Sequence, residues 1–341
     1  MKVQELEKRF MDKEKEKEKE QDTEKNKGRE EEAAEQAKKT KTLGFEYDLQ
    51  KGTLSLIKDY QPVPKRPRWA SISADGQTVI FARAHNLYMM DKANYEKALK
   101  KADDPTIQEV QLTTDGEQYY SYARDLREDE KKELQKQEKD RQDFRTPAIM
   151  IFWSKDSKKF ACIREDERKV GDLWVIDSLA EPRPVLQTYK YGMPGEENQP
   201  QPEILVFELA SKNRVKIKDE KFKDPTYNIF TAPRKAAVED PDKPLPPLWL
   251  ADTSEKLYFG RQTRDLHGYE VCLADTTSGE VTVLIEERLN TYVEFQPLRL
   301  INGGQELVWW SERDGWGHYY LFDARGHLKN QITAGEFNCR E

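Results

Sequence analysis

A four-part phrase recurs along this chain and constrains its fold more than any other feature. Each copy has a Trp, a polar turn with Ser or Asp, a short apolar run, and a second apolar run ending in Asp. Three copies open at Trp69, Trp153 and Trp249, and a fourth, without the Trp, begins at Asn302. Runs of β-branched and aromatic residues bounded by such turns are typical of antiparallel β-hairpins. The phrase therefore predicts one small β module used repeatedly.

The two apolar runs of each copy are predicted to pair with one another. They occupy residues 79–81 with 86–91, 160–162 with 172–177, 257–259 with 269–275, and 307–310 with 318–323. A further hairpin is predicted over residues 45–57, and the first and last copies continue into a strand that ends in Thr113 or Thr333. A lone hairpin cannot bury a face, so repeated hairpins predict an all-β fold, a partial β-propeller of four-stranded antiparallel blades.

Two charged segments interrupt this pattern. Residues 1–42 are almost entirely Lys, Glu, Gln and Ala, with too little apolar surface to offset the entropy of ordering, so a disordered N-terminus is predicted. Residues 43–341 are then the incomplete propeller. A second run, at about residues 124–145, contains good helix formers and i,i+4 Glu/Lys pairs, which predicts an exposed helical insert.

Bulk properties exclude several classes of function. The net charge of −7 does not favour nucleic acid as a partner, and no apolar run is long enough for a membrane span. The first residues lack the apolar core of a signal peptide, so the compartment is left open: cytoplasmic if the chain is complete, periplasmic or secreted if an upstream signal is missing. Cys162 and Cys272 are predicted to be buried thiols, and neither a metal site nor a cofactor is expected.

The chain shows no catalytic motif. It has no G-x-S-x-G elbow, Walker loop, dinucleotide glycine motif or HExxH, and its four histidines are interpreted as surface or turn residues. The chain by itself is therefore predicted to be inactive as an enzyme.

Two acidic clusters are candidates for binding. They contain Glu128 with Glu130, and Glu165 with Glu167. A pair of carboxylates near the pore of a propeller binds a protonated amine through charge-assisted hydrogen bonds. The alternative is that both clusters are solvated acids in a highly charged chain.

Several phrases resemble one known family. Residues 153–161, 189–197, 202–207, 310–321 and 331–337 resemble the N-terminal propeller of the dipeptidyl peptidase IV family, which are serine exopeptidases of the prolyl oligopeptidase clan. The resemblance spans roughly residues 45–337, and its most specific part is the phrase from Trp310 to Leu321 with the segment that follows it.

This resemblance implies an eight-bladed propeller followed by a C-terminal α/β-hydrolase domain with a Ser-Asp-His triad. Since the sequence stops at Glu341, the resemblance predicts a chain that contains most of the propeller without its last blades and without the hydrolase domain. In the family the propeller gates access and a glutamate pair holds the free N-terminus of an oligopeptide substrate. Glu128 and Glu130 stand at the position of that pair, and Lys155 replaces the usual Pro after Trp-Ser, which implies an altered substrate preference.

Two functional hypotheses follow. The first is the recognition part of a serine exopeptidase, whose partners are an oligopeptide substrate and a hydrolase domain. The second is a propeller that serves only as a protein-interaction module, with the charged segments as docking tails. An incomplete propeller leaves an unpaired sheet edge, which makes a homodimer an expected assembly in either case.

Overall fold

The computed structural model describes residues 43–58, 66–138, 143–233 and 246–340. The chain divides into two compact units, Met1–Pro64 and Lys65–Glu341. In the first unit, β1 (Gly44–Asp48) and β2 (Thr53–Ile57) form the antiparallel hairpin that the sequence predicted. The predicted disorder of residues 1–42 lies outside the described residues.

The second unit is built almost entirely from strands. In chain order these are β3 (Ser71–Ile72), β4 (Thr78–Arg83), β5 (Asn86–Asp91), β6 (Val110–Gln111), β7 (Arg145–Thr146), β8 (Phe152–Trp153), β9 (Lys159–Asp166), β10 (Asp172–Asp177), β11 (Val185–Lys190), β12 (Gln201–Glu208), β13 (Arg214–Lys216), β14 (Thr226–Ile229), β15 (Lys256–Gln262), β16 (Gly268–Asp275), β17 (Val281–Arg288), β18 (Arg299–Ile301), β19 (Glu306–Ser311), β20 (His318–Asp323) and β21 (Leu328–Gln331). Helix α1 (Lys92–Lys100) follows β5, and helix α2 (Glu128–Gln137) precedes β7.

Four antiparallel sheets follow one another along this unit. The strand orders are β3-β4-β5-β6 with β7 also on β4, β13-β12-β9-β8, β14-β15-β16-β17, and β18-β19-β20-β21. We call these sheets the first to fourth blades. Successive four-stranded antiparallel sheets of this kind are the blades of a β-propeller, and the predicted fold class, a partial propeller with a charged helical insert, is confirmed.

The predicted hairpin of the second copy is wrong. Strand β9 pairs with β12, in the register Cys162 with Leu205, whereas β10 pairs only with β11 in a separate two-stranded sheet. The β10–β11 hairpin is therefore an insertion between two adjacent strands of the second blade. The hairpins predicted for the other three copies are present as β4–β5, β15–β16 and β19–β20.

The inner strands are apolar on both faces because each blade packs against its neighbours. In β4, Val79 and Phe81 pack with Trp69 in one core cluster, while Ile80 between them packs with Trp153 in another. Successive strand residues point to opposite faces, so a continuous apolar run serves two blade interfaces. The predicted burial of Cys162 and Cys272 follows from the same geometry and is confirmed.

The Ser and Asp residues of the repeated phrase form its turns. The Ser154 hydroxyl accepts a hydrogen bond from the Lys159 N–H at 2.9 Å, and the Asp156 carboxylate accepts one from the Lys158 N–H at 3.1 Å. Lys155, at the position of the family's Pro, instead reaches the third blade, where its Nζ lies 2.6 Å from the Asp252 carboxylate. These side-chain bonds replace backbone partners that a tight turn leaves unused.

The recurring Thr that follows the fourth strand of a blade ties the end of that strand to the third strand. In the first blade the Thr113 hydroxyl donates to the Asn86 side chain at 3.0 Å. In the fourth blade the His318 Nδ1 lies 3.2 Å from the Thr333 hydroxyl, and its Nε2 lies 2.9 Å from the Gly335 carbonyl. Asn86 and His318 each begin the third strand of their blade. Two different side chains therefore make the same contact between the third and fourth strands, which we call the clasp. His318 is thus a buried strand residue rather than the surface or turn residue predicted.

A buried arginine recurs on the second strand of three blades. Arg83, Arg164 and Arg261 each lie four residues after the first buried apolar residue of their strand and are 2–3% exposed. Each guanidinium has a carboxylate partner within its own blade, with N–O distances of 2.7–2.8 Å to Glu109, Glu203 and Glu270 respectively. Buried charges are tolerated when they are paired and hydrogen-bonded in this way.

A second acid reaches the arginine from the preceding blade. Asp115, after β6, lies 3.1 Å from Arg164, and Asp219, after β13, contacts Arg261. Glu287 of β17 likewise contacts Arg313, just after β19. Three consecutive blade junctions are therefore joined by an acid from one blade and an arginine from the next.

Helix α2 is less exposed than predicted. Leu134 packs with Leu126 and Trp69 in the core cluster of the first blade, and Glu138, the residue after the helix, is buried. None of the helices among the described residues has the length and apolar composition that crossing a bilayer requires.

Candidate functional site

A cleft of about 1110 Å³ opens within the second unit, where the first blade, the β10–β11 hairpin and the segment before α2 meet. The polar and aromatic side chains that line this cleft include His85, Tyr119, Arg124, Asp125, Glu165, Glu167 and Lys190. Its volume is at the upper end of the range that small-molecule and peptide-fragment sites occupy.

Two of the acids predicted as site residues meet in the cleft. Glu165 lies near the end of β9 and Glu167 just beyond it, and alternation along an extended chain places both on one side. The Glu167 N–H donates to the Tyr119 carbonyl at 2.8 Å, which fixes this end of the strand to the loop after β6. Asp125, which the sequence analysis did not single out, lines the same cleft.

Two neighbouring carboxylates act on Glu167. Partial burial raises the pKa of Glu167, and the negative charges of Glu165 and Asp125 raise it further, while Lys190 opposes them. Among the described residues, no ion pair involves Asp125, Glu165 or Glu167. A cation that entered the cleft would relieve this repulsion, because an opposite charge within a few ångströms favours the ionised carboxylate.

The cationic side chains of the cleft have partners of their own. Lys190 Nζ lies 3.0 Å from the Asp172 carboxylate, donates to the Val170 carbonyl at 2.9 Å, and lies 4.9 Å from the centre of the Tyr119 ring. Arg124 lies 3.2 Å from Glu130. The acids therefore keep an excess of negative charge on their side of the cleft.

Two cleft residues have left-handed backbone conformations. Ala84 has φ 48° and Tyr119 has φ 64°, values that cost free energy for residues with a Cβ atom. The Tyr119 conformation presents its carbonyl to Glu167 and leaves 38% of the residue exposed. Next to Ala84, His85 lies in the turn between β4 and β5, as predicted, and its Nδ1 lies 3.1 Å from the Ser121 hydroxyl. This turn residue also forms part of the cleft wall.

The other predicted acid pair does not join this group. Glu128 lies in α2, and its side chain is outside the described part of the chain. Glu130 is not among the residues that line the cleft, and its carboxylate lies 3.3 Å from Arg68 and 3.2 Å from Arg124. The structure thus brings together Glu165 and Glu167 with Asp125, and places Glu130 in an arginine cluster.

Arg164 is the centre of a buried ion-pair network next to the acids. It lies beside Glu165 on β9, and its guanidinium is bonded to Glu203, with the Tyr120 ring stacked at 3.5 Å. Burial alone would raise the pKa of Glu203, but the hydrogen bonds from Tyr120, Lys216 and Arg164 outweigh it and lower the pKa. An arginine four residues after the first buried apolar residue of the second strand, in three of the four blades, was the sequence signal for the network, and the sequence analysis missed it.

Comparison with known proteins agrees with this architecture. Residues 144–341, more than half of the chain, match the family described as the dipeptidyl peptidase IV (DPP IV) N-terminal region. The chain belongs to this family. The resemblance drawn from the sequence phrases is therefore confirmed, and the blades described above are those of a DPP IV N-terminal region.

Two solved structures share the fold. A dipeptidyl peptidase 4 from Porphyromonas gingivalis matches with 20% identity and a TM-score of 0.56 over 87% of this chain. A putative dipeptidyl aminopeptidase IV from Bacteroides ovatus matches with 18% identity and a TM-score of 0.52 over 85% of this chain. The chain spans 36% of the length of each of these proteins.

Proposed function

We propose that this chain is the substrate-recognition part of a serine exopeptidase, and that the cleft binds the free N-terminus of an oligopeptide. Membership of the DPP IV N-terminal region family supports a role beside a peptidase domain. The observation that carries the proposal is the group of three carboxylates, in which Glu165 and Asp125 raise the pKa of Glu167. An α-ammonium group placed among them would supply the missing positive charge.

In this proposal Glu165 and Glu167 accept charge-assisted hydrogen bonds from the ammonium group. Asp125 contributes through its charge, and the exposed ring of Tyr119 contacts the first side chains of the peptide. A C-terminal α/β-hydrolase domain would then cleave at a fixed distance from the amine, because binding at the amine sets the register of the scissile bond. The propeller would also exclude larger substrates and admit only peptides narrow enough to enter the cleft.

Peptide binding to the chain tests this proposal. The probe is an Ala-Pro tetrapeptide with a C-terminal fluorophore, compared with its N-acetylated form, which lacks the ammonium charge. The variant E165Q/E167Q is expected to bind the free peptide at least about tenfold more weakly, since charged hydrogen bonds contribute about 1.5–3 kcal/mol. Glu220→Gln, an exposed acid outside the cleft, is the matched control. Equal binding of the free and acetylated peptides would refute the proposal.

A second candidate function, a protein-interaction module, is favoured by the β10–β11 hairpin. This hairpin exposes Trp174, Ile176 and Leu179, with exposed fractions of 64–90%. Exposed large apolar side chains grouped on one element indicate a contact surface. We propose that this surface supports a homodimer, which does not compete with peptide binding.

Sedimentation tests the assembly. Wild-type chain is expected to sediment as a dimer at micromolar concentration, and the variant W174S/I176S as a monomer, with the same peptide affinity in both. A monomeric wild-type chain would contradict the dimer. It would not affect the cleft proposal, which the peptide experiment tests separately.

A further inference from the structure

Helix α2 is fastened to arginines of the first blade near its start and just after its end, and it forms part of one wall of the cleft. We propose that α2 is a strap, a helix held at both ends against the first blade, rather than a solvated helix or docking tail. The buried contacts of Glu138, which we call the latch, hold its C-terminal end. The strap would hold one wall of the cleft in place as long as both fastenings are closed. This device is separate from the identity of the ligand.

The fastening at the C-terminal end is buried. Glu138 directly follows α2 and is 2% exposed. Its carboxylate lies 3.1 Å from the Arg83 guanidinium, 3.1 Å from the Arg145 guanidinium, and accepts the Arg145 backbone N–H at 3.0 Å. Arg83 and Arg145 also share Glu109, so two arginines and two acids form one neutral, buried group.

Comparison among the blades shows what Glu138 replaces. Arg164 and Arg261 each have one acid within their own blade and a second from the preceding blade, Asp115 and Asp219 respectively. Arg83 stands at the same strand position and has its own acid, Glu109, but its second acid is Glu138. The insert thus supplies the contact that a blade junction supplies elsewhere, which makes it part of the fold.

The fastening at the N-terminal end involves the cleft itself. Glu130 in the first turn of α2 lies 3.3 Å from Arg68 and 3.2 Å from Arg124, and it accepts the Arg127 backbone N–H at 3.3 Å. Arg124 and Lys131 both line the cleft, so the strap and the cleft wall share side chains. Glu130 acts here as a fastening for the strap.

The helix depends on tertiary contacts because it is short. A helix of ten residues is not stable alone in water. Leu134 is buried in the core cluster, whereas Lys132, Gln135 and Lys136 are exposed. Loss of the latch is therefore expected to unfold α2 locally while the blades stay intact.

Hydrogen exchange of the full chain, read by mass spectrometry, tests the latch. In Glu138→Gln, peptides that cover α2 are expected to exchange at least tenfold faster than in wild type, while peptides that cover β15 and β16 are unchanged. Glu130→Gln is expected to accelerate exchange in the same peptides to a smaller extent. Glu96→Gln, an exposed acid on α1, is the matched control and should change neither region.

Two results would overturn the proposal. One is exchange in α2 that is as fast in wild type as in Glu138→Gln, which would show a solvated helix. The other is faster exchange in β15 and β16 to the same degree as in α2, which would show that Glu138 holds the whole fold together rather than latching the strap. If Glu138→Gln does not fold, the Glu130→Gln measurement decides by the same two criteria.

Discussion

At the scale of single residues, two arginines that contact the Tyr120 ring show how burial determines the contribution of an ion pair to stability. Arg164 is buried and bonded to Glu203 and Asp115, whereas the Arg168 side chain is 44% exposed and pairs with Asp166. Both guanidinium groups lie over the same ring, at 3.5 and 4.3 Å. Both are guanidinium–carboxylate pairs, but only the loss of Arg164 would leave uncompensated negative charge in the interior.

We predict that Arg164→Met lowers the free energy of unfolding by about 3–5 kcal/mol, because the buried Glu203 would lose its guanidinium partner and keep only Tyr120 and the exposed Lys216. Chemical denaturation monitored by tryptophan fluorescence measures this loss. Arg168→Met, the control, is expected to leave the midpoint unchanged. Similar losses in the two variants would show that burial does not govern this network.

Glu167 gives a second prediction at this scale. Its pKa is raised, so its contribution to stability is present below the ordinary glutamate pKa and is lost as the pH rises through the raised value. Glu165→Gln removes a neighbouring negative charge and is expected to lower the pKa of Glu167, measured by NMR titration of the side-chain carboxyl. An unchanged pKa would mean that the charge of Glu165 does not contribute to it.

The site shows which part of the geometry was open to prediction from sequence. Glu165 and Glu167 are two apart on one strand, and this local spacing was enough to pair them. Asp125 and Tyr119 come from about forty residues earlier and reach the cleft through the pairing of whole blades. No local pattern carries that information, so the sequence alone could not group Asp125 and Tyr119 with Glu165 and Glu167.

At the scale of elements, the clasp between the third and fourth strands uses Asn86 in one blade and His318 in another. We predict that His318→Asn is tolerated better than His318→Val, because asparagine can satisfy Thr333 as Asn86 satisfies Thr113. Valine would leave the Thr333 hydroxyl and the Gly335 carbonyl without this partner, and a fall in Tm of about 2–4 °C more than for asparagine is expected, as for one lost buried hydrogen bond. Calorimetry of both variants checks the order, and equal Tm values would contradict the shared role.

The hairpins also mark the limit of local reasoning about elements. The pattern of two apolar runs, the second ending in Asp, predicted the β15–β16 and β19–β20 hairpins correctly. The two strands of each hairpin are adjacent in sequence. The same pattern failed at β9, whose partner β12 begins 35 residues after β9 ends, beyond the complete β10–β11 hairpin. Runs 160–162 and 172–177 carry equally good strand signals, so only the long-range pairing distinguishes blade from insertion.

At the scale of the whole molecule, the ion pairs within and between blades set the acid limit of stability. Burial alone would raise the pKa of Glu109, Asp115 and Glu203, but their arginine and tyrosine partners outweigh it and lower all three. Carboxylates with lowered pKa values contribute stability above their unfolded pKa, and that contribution is lost as the pH falls through the folded value.

We therefore predict a nearly constant Tm from pH 8 to about pH 5.5 and a steep fall below about pH 4. Scanning calorimetry across this range measures it. Asp115→Asn is expected to lower the Tm at pH 7 and to reduce the fall at low pH, because the variant has already lost one of the titrating contacts. A Tm that falls between pH 8 and pH 6 would point to histidines instead.

At the blade junctions an acid of one blade pairs with an arginine of the next, and this pairing limits where two related propellers can be recombined. A crossover placed between Asp115 and Arg164, or between Asp219 and Arg261, separates a buried arginine from an acid that neutralises it. Chimaeras of related propellers that break there must find a matching charge on the other parent's blade. In the second and third blades, breakpoints between the third strand and the last strand keep each arginine on one parental segment with both of its acids, and these are the positions at which blades can be exchanged.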